Sequence, residues 1–140
     1  MGKRVFLSGP IHKMERKQSY RDKLRRILLR YGYEPIDPWQ REKVIYIETY
    51  SMAHQGWWNK VPSTGFIKRD LEDIDRCDIL VAYMPKLSAG TCMELFYAKM
   101  KRKKTVVISS IENPSPWIVA HADVILKDIK ELEDLLKRGI

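Results

Sequence analysis

The chain predicts an α/β fold, a single-domain three-layer sandwich in which a mostly parallel five-stranded sheet carries helices on both faces. Three observations predict it. Short apolar, β-branched runs (Arg4–Ser8, Asp78–Tyr83, Thr105–Ser109) alternate with stretches whose apolar residues recur at helical spacing. Turn signals such as Gly9-Pro10, Pro85 to Gly90 and Asn113-Pro114 separate the two kinds of stretch. Finally, 140 residues can bury one sizeable core but not two. Right-handed crossovers then imply a flavodoxin- or Rossmann-like plan with strand order 2-1-3-4-5.

In chain order, Arg4–Ser8 reads as a buried strand closed by Gly9-Pro10, where Pro10 bars immediate helix. From about Glu15 to Tyr31, residues Tyr20, Leu24, Ile27, Leu28 and Tyr31 recur at helical spacing, Arg and Lys occupy the other face, and Gly32 stops the helix. Tyr33–Ile36 is a second strand; Pro35 cannot donate to a ladder, which places the strand at an edge, and Asp37-Pro38-Trp39 ends it. Residues 40–62 show no sustained period and read as an irregular or partly helical excursion. Its Trp57 and Trp58 suit either an aromatic slot for a flat ligand or an oligomer contact. A helix over about Thr64–Arg76 buries Phe66, Ile67, Leu71 and Ile74 and displays Asp70 and Asp73, an arrangement usual for a solvated face.

The third strand, Asp78–Tyr83, feeds a central helix that ends in the basic run Lys99 to Lys104, read as favourable charge at a helix C-terminus. Thr105–Ser109 and Asp123–Leu126 supply the last two strands, Trp117–Ala120 about one helical turn, and Ile129–Arg138 the closing helix before Gly139. Function is expected at the carboxyl ends of the strands, where the loops after strands one, three and four converge.

Composition narrows the function classes. The absence of a long apolar run and of a leader-like start predicts a soluble, cytoplasmic protein without a membrane partner. Two cysteines, Cys77 and Cys92, sit in apolar contexts and suit buried thiols in a reducing compartment. A net charge of +8 favours an anionic partner, and the basic run lacks the interleaved aromatics of a nucleic-acid surface, so a small-molecule nucleotide or nucleoside is expected rather than a nucleic acid. No dinucleotide, P-loop or serine-hydrolase fingerprint is present, and His12, His54 and His121 are too scattered for a metal site.

The stretch Met84 to Glu94 carries the chemistry. Its strand-to-helix handover places Glu94 in a helix's first turn, near the positive dipole end, where a carboxylate stays ionised. Thr91-x-x-Glu94 is also a capping box, in which the glutamate merely reaches back to the cap N–H. Ser88-Ala89-Gly90 could cradle a phosphate at the helix start. With Asp70 as a second carboxylate, the minimum equipment for retaining glycosyl transfer is available.

Taken together, Val5-Phe6-Leu7-Ser8-Gly9-Pro10-Ile11, Asp70, Ser88-x-Gly90-Thr91-x-x-Glu94 and Ser115-Pro116-Trp117 through Asp123 resemble the nucleoside 2-deoxyribosyltransferase superfamily over nearly the whole chain except 40–62. The resemblance implies a cofactor-free enzyme that cleaves nucleoside N-glycosidic bonds, built as a homodimer or dimer of dimers. It makes Glu94 the nucleophile that forms a glycosyl-enzyme ester and Asp70 the acid that protonates the departing base. Phe6, Ser8, Gly9, Ile11, His12, Asp37, Ser88, Gly90, Ser115 and Trp117 would bind substrate, Ser115 reaching across the dimer interface. Transferases of the superfamily usually carry an acidic residue six positions before the nucleophile, whereas nucleoside 5′-monophosphate hydrolases carry Ser there for the phosphate; this chain has Ser88. An acidic side chain would repel a phosphate and a hydroxyl donates to it. The expected activity is therefore hydrolysis of a nucleoside 5′-monophosphate, with base exchange between nucleosides, and a non-catalytic nucleotide- or RNA-binding module, as the alternatives. Phe6 and Ser8 also read as plain core and turn residues, and Ser115 as a plain helix cap.

Overall fold

A computed structural model describes residues 2–11, 14–48 and 63–140. Its elements, in order, are β1 (Arg4–Ser8), α1 (Ser19–Arg30), β2 (Glu34–Ile36), α2 (Trp39–Glu48), α3 (Ser63–Asp75), β3 (Ile79–Tyr83), α4 (Ala89–Met100), β4 (Lys104–Ile108), α5 (Pro116–His121), β5 (Val124–Leu126) and α6 (Ile129–Arg138). The five strands form one sheet in the order β2-β1-β3-β4-β5, every neighbouring pair parallel. Pro35 does lie in the edge strand β2, opposite Val5.

Strand alternation divides the core in two. Val5 and Leu7 face Leu24, Ile27 and Leu28 of α1 together with Leu132 and Leu136 of α6. Phe6, Leu80 and Ala82 face the other way, into a cluster with Ile74 of α3, Leu95 and Ala98 of α4 and Ile118 of α5. Each large apolar side chain removed from water in this way stabilises the fold by about 1.5–3 kcal/mol. Ser8 shares the Phe6 face by the same two-residue period, so it points toward α3 and α4. The crossovers from β1 and β3 run to opposite sides of the sheet, which opens a crevice between the carboxyl ends of these two strands.

Local departures from expectation have physical reasons. The first helix starts at Ser19 rather than near Glu15. Part of the supposed excursion is a regular helix, α2, because Asp37-Pro38 starts a helix rather than only ending a strand: Asp37 Oδ1 accepts from the backbone N–H of Trp39 at 3.0 Å. Trp57, Trp58 and the rest of 49–62 lie outside the described residues. The basic run is shared out, since α4 ends at Met100 and Lys104 already belongs to β4, with Arg102 at φ 62° making the turn. Lys103 Nζ donates instead to the Asp75 carbonyl at the C-terminal end of α3, 2.9 Å away. Cys77 is buried, which pushes its thiol up to about 12, whereas Cys92 is only half-buried.

Candidate active site

The crevice is braced by a cation that the sequence had assigned to a solvated face. Arg21 is 1% exposed, because it stands on the same stripe of α1 as Leu24 and Leu28. Its guanidinium donates to the carbonyls of Leu7 at 3.2 Å and Gly9 at 2.9 Å, to Gln18 Oε1 at 2.6 Å and to Asp37 Oδ1 at 2.8 Å. These bonds tie the ends of β1 and β2 to α1. A buried ion pair is tolerated when its remaining donors are satisfied, as here. The Tyr20 ring covers the turn after β1, where any Cβ at Gly9 would lie 2.2 Å from the phenol oxygen.

Against this frame Ser8 Oγ donates to Glu94 Oε1 at 2.6 Å, linking the end of β1 to α4 across 86 residues of sequence. Glu94 is the sixth residue of α4, so it stands in the second turn and not the first. The capping box expected at Thr91 is displaced by one turn: Ser88 is the N-cap, accepting from Thr91 N at 3.4 Å and from the Thr91 hydroxyl at 3.1 Å. Glu94 is thereby released from capping and turned toward the crevice. The dipole does not keep it simply ionised. Burial, and after it the negative charge of Asp70, push its carboxyl up to about 8, while the Ser8 hydrogen bond and Arg21 pull the other way.

Asp70, on α3, is buried rather than displayed. Arg41 of α2 forks onto α3, with Nη2 3.1 Å from Asp70 Oδ1 and Nη1 3.2 Å from Asp73 Oδ2. Burial raises the Asp70 carboxyl, against the lowering effect of neighbouring Glu42 and of Arg41. Glu42 itself, one residue after Arg41, is 1% exposed. Neither Arg41 nor Glu42 was singled out from sequence; the cue was the helix-start dipeptide Asp37-Pro38, which puts both residues in α2's first turn.

The other expected site residues divide. Phe6 has no exposed surface and is a core residue of the α3–α4 face, not part of a binding wall. Asp37 is likewise committed to the scaffold, its second oxygen taken by Arg25 Nη1 at 2.8 Å. Gly9 and Ile11 flank the crevice on the loop after β1, and His12 lies outside the described residues. Gly90 has open space around its Cα, on the exposed start of α4. Ser115 caps α5, accepting from Trp117 N at 3.2 Å. Trp117 is 73% exposed and stacks on His121 at 6.2 Å between ring centroids. No described hydrogen bond joins Ser115 or Trp117 to Ser8, Asp70 or Glu94. Among the described residues no helix is long and apolar enough to cross a membrane, and no cluster of three or more His, Cys, Asp or Glu has a metal-binding arrangement.

Sequence comparison adds a decisive match: the family model for nucleoside 2-deoxyribosyltransferase covers residues 5–131, spanning Ser8, Asp70 and Glu94. The chain belongs to the nucleoside 2-deoxyribosyltransferase family. It is accordingly an enzyme of the glycosyl-transfer and N-glycosidase type, acting on nucleosides or nucleotides. Solved structures agree in fold. A 2-deoxyribosyltransferase from Bacillus psychrosaccharolyticus superposes with a TM-score of 0.69 at 19% identity, covering 94% of this chain and 91% of its own. The CMP N-glycosidase of Clostridium botulinum gives a TM-score of 0.62 at 22% identity over 97% of this chain and 99% of its own. A deoxyribosyltransferase from Leishmania mexicana gives 0.67 at 14% identity over 99% of both chains. No curated protein matches the chain.

Proposed function

We propose that the protein hydrolyses the N-glycosidic bond of a nucleoside 5′-monophosphate with retention, through a glycosyl ester on Glu94, releasing free base and (deoxy)ribose 5-phosphate. The observation that carries this reading is the pairing of Glu94 with Ser8 at 2.6 Å at the mouth of the sheet, within electrostatic reach of Asp70. Ser8 engages Oε1, which leaves Oε2 for the anomeric carbon. As Oε2 bonds to C1′, the C1′–N electron pair returns to the base, which takes a proton from Asp70. Water then attacks C1′, gives its proton to Asp70 and frees the Glu94 carboxylate.

Phosphate recognition is assigned to the start of α4. Both hydrogen bonds of Ser88 use its oxygen as acceptor, so its own O–H stays available to an anion beside the exposed N–H groups of the helix. The net charge of +8 supports the same preference. A second copy of the chain is proposed to complete the site. Met93, Phe96 and Met100 of α4 and Trp117 and Val119 of α5 are all exposed, an apolar strip suited to a symmetric dimer, and Ser115 stands at its margin.

The test is a product analysis with a nucleoside, its 5′-monophosphate and a second free base in one mixture. Sugar phosphate plus free base supports the hydrolase. A new nucleoside would instead identify a base-exchanging transferase, and no cleavage of either substrate would leave a binding module.

A further inference from the structure

One buried group near the crevice, Glu42, takes no part in the steps at Ser8, Asp70 and Glu94. Glu42 is 1% exposed on α2, and among the described residues neither of its carboxyl oxygens receives a hydrogen bond from any donor. A carboxylate so placed would be a bare charge away from water, which is far more costly than carrying a proton. The groups facing it are two further acids, Asp70 from α3 and Glu94 from α4, and one cation, Arg21 from α1. Burial first, then Asp70 beside it and the charge of Glu94, push Glu42 up to about 10. Asp70 differs in having Arg41 Nη2 3.1 Å from its Oδ1, whereas no donor among the described residues reaches Glu42, so the charge rests on Asp70 and the proton on Glu42.

We propose that Glu42 is the proton store of this site: Glu42 and Asp70 hold one proton between two buried carboxyls, and that proton is the one passed through Asp70 to the departing base. The inference rests on the glycosidase reading and deepens it. When Glu94 Oε2 attacks C1′ and the C1′–N electron pair returns to the base, the single proton passes from Glu42 onto Asp70 and from Asp70 onto the base nitrogen, leaving both carboxyls ionised. Glu94 loses its charge to the ester and the pair gains one, so charge is conserved. Arg41, already 3.1 Å from Asp70 Oδ1, and Arg21 at longer range offset the second negative charge. The attacking water later returns a proton to Asp70, and the pair is restored. Glu42 touches no reacting atom; it acts through Asp70 as a positioning residue that sets where the proton waits.

The experiment compares leaving groups. An adenine or cytosine 5′-monophosphate loses its base readily only when the base is protonated, whereas the nicotinamide mononucleotide of the same sugar releases a neutral base from a cationic N-glycoside and needs no proton. Glu42→Gln keeps the shape but cannot release a proton. It is expected to lower kcat/KM on the ordinary nucleotide by about 100-fold or more, the usual contribution of general acid catalysis, and on the pyridinium nucleotide by less than about threefold. Equal losses on both substrates, or no loss on either, would overturn the proposal. Should Glu42→Gln not fold, the wild-type enzyme decides: an alkaline limb in the pH profile with the adenine nucleotide and none with the pyridinium nucleotide supports the store, and the same limb with both refutes it. Glu94→Gln separates the two ideas, since it should abolish turnover of both substrates; full turnover in that variant would instead sink the glycosidase reading.

Discussion

A neutral buried Glu42 has a thermodynamic signature that needs no substrate. In the unfolded chain the side chain ionises near its ordinary value of 4.5, and in the folded protein only near 10. Between those values the native state holds one proton more than the unfolded state, so stability falls as pH rises, by about 1.4 kcal/mol for each pH unit. Glu42→Gln removes the titration while preserving volume. The difference in unfolding free energy between variant and wild type should therefore grow in the variant's favour by about 3 kcal/mol from pH 6 to pH 8. Urea unfolding of both proteins at one-unit pH intervals measures it, and taking a difference cancels groups common to both. Parallel stability curves would refute the reasoning, because they would mean that Glu42 is ionised in the folded protein.

Ser8→Ala removes a hydrogen bond to a carboxylate, worth about 1.5–3 kcal/mol, and should lower kcat/KM by about 10- to 100-fold. Glu94 must be ionised to attack, so wild-type activity should rise with pH through about 8; without Ser8 the limb should move to higher pH, and a limb at unchanged pH would contradict the pairing. Arg21→Met strands the carbonyls of Leu7 and Gly9 and half of the Asp37 ion pair, and should cost about 3–5 kcal/mol in chemical unfolding, with a loss below about 1 kcal/mol counting against its bracing role. Trp117→Glu puts a charge in the middle of the exposed apolar strip and should yield a folded monomer in sedimentation, where an unchanged mass would move the proposed dimer contact elsewhere.

How legible the molecule was follows from which interactions repeat along the chain. The strands and α1, α4 and α6 have cores built at a period of two or near four, and their order follows from handedness once they alternate. Helix α2 escaped because buried polar contacts interrupt its apolar pattern: Arg41 reaches Asp70 and Asp73, and Glu42 is buried beside it. Arg21 was misjudged for the same reason, as a long cation on a core stripe looks like a surface residue until its four acceptors are seen. Ser88 and Thr91 are both competent caps, and only the geometry showed that Ser88 takes the role and moves Glu94 one turn inward. The meeting of Ser8 with Glu94 has no spacing rule, since it exists only because β1 and β3 are neighbours and the α4 crossover begins beside β1.

The central claim is that Glu94 attacks C1′ of the sugar. A 2′-fluoro-substituted nucleoside 5′-monophosphate, whose electron-withdrawing group slows breakdown of the glycosyl ester, should leave the protein heavier by one fluorinated sugar phosphate, with the added mass on the peptide carrying Glu94 and no adduct in Glu94→Gln. An adduct on another residue, or base release by Glu94→Gln at the wild-type rate, would contradict it.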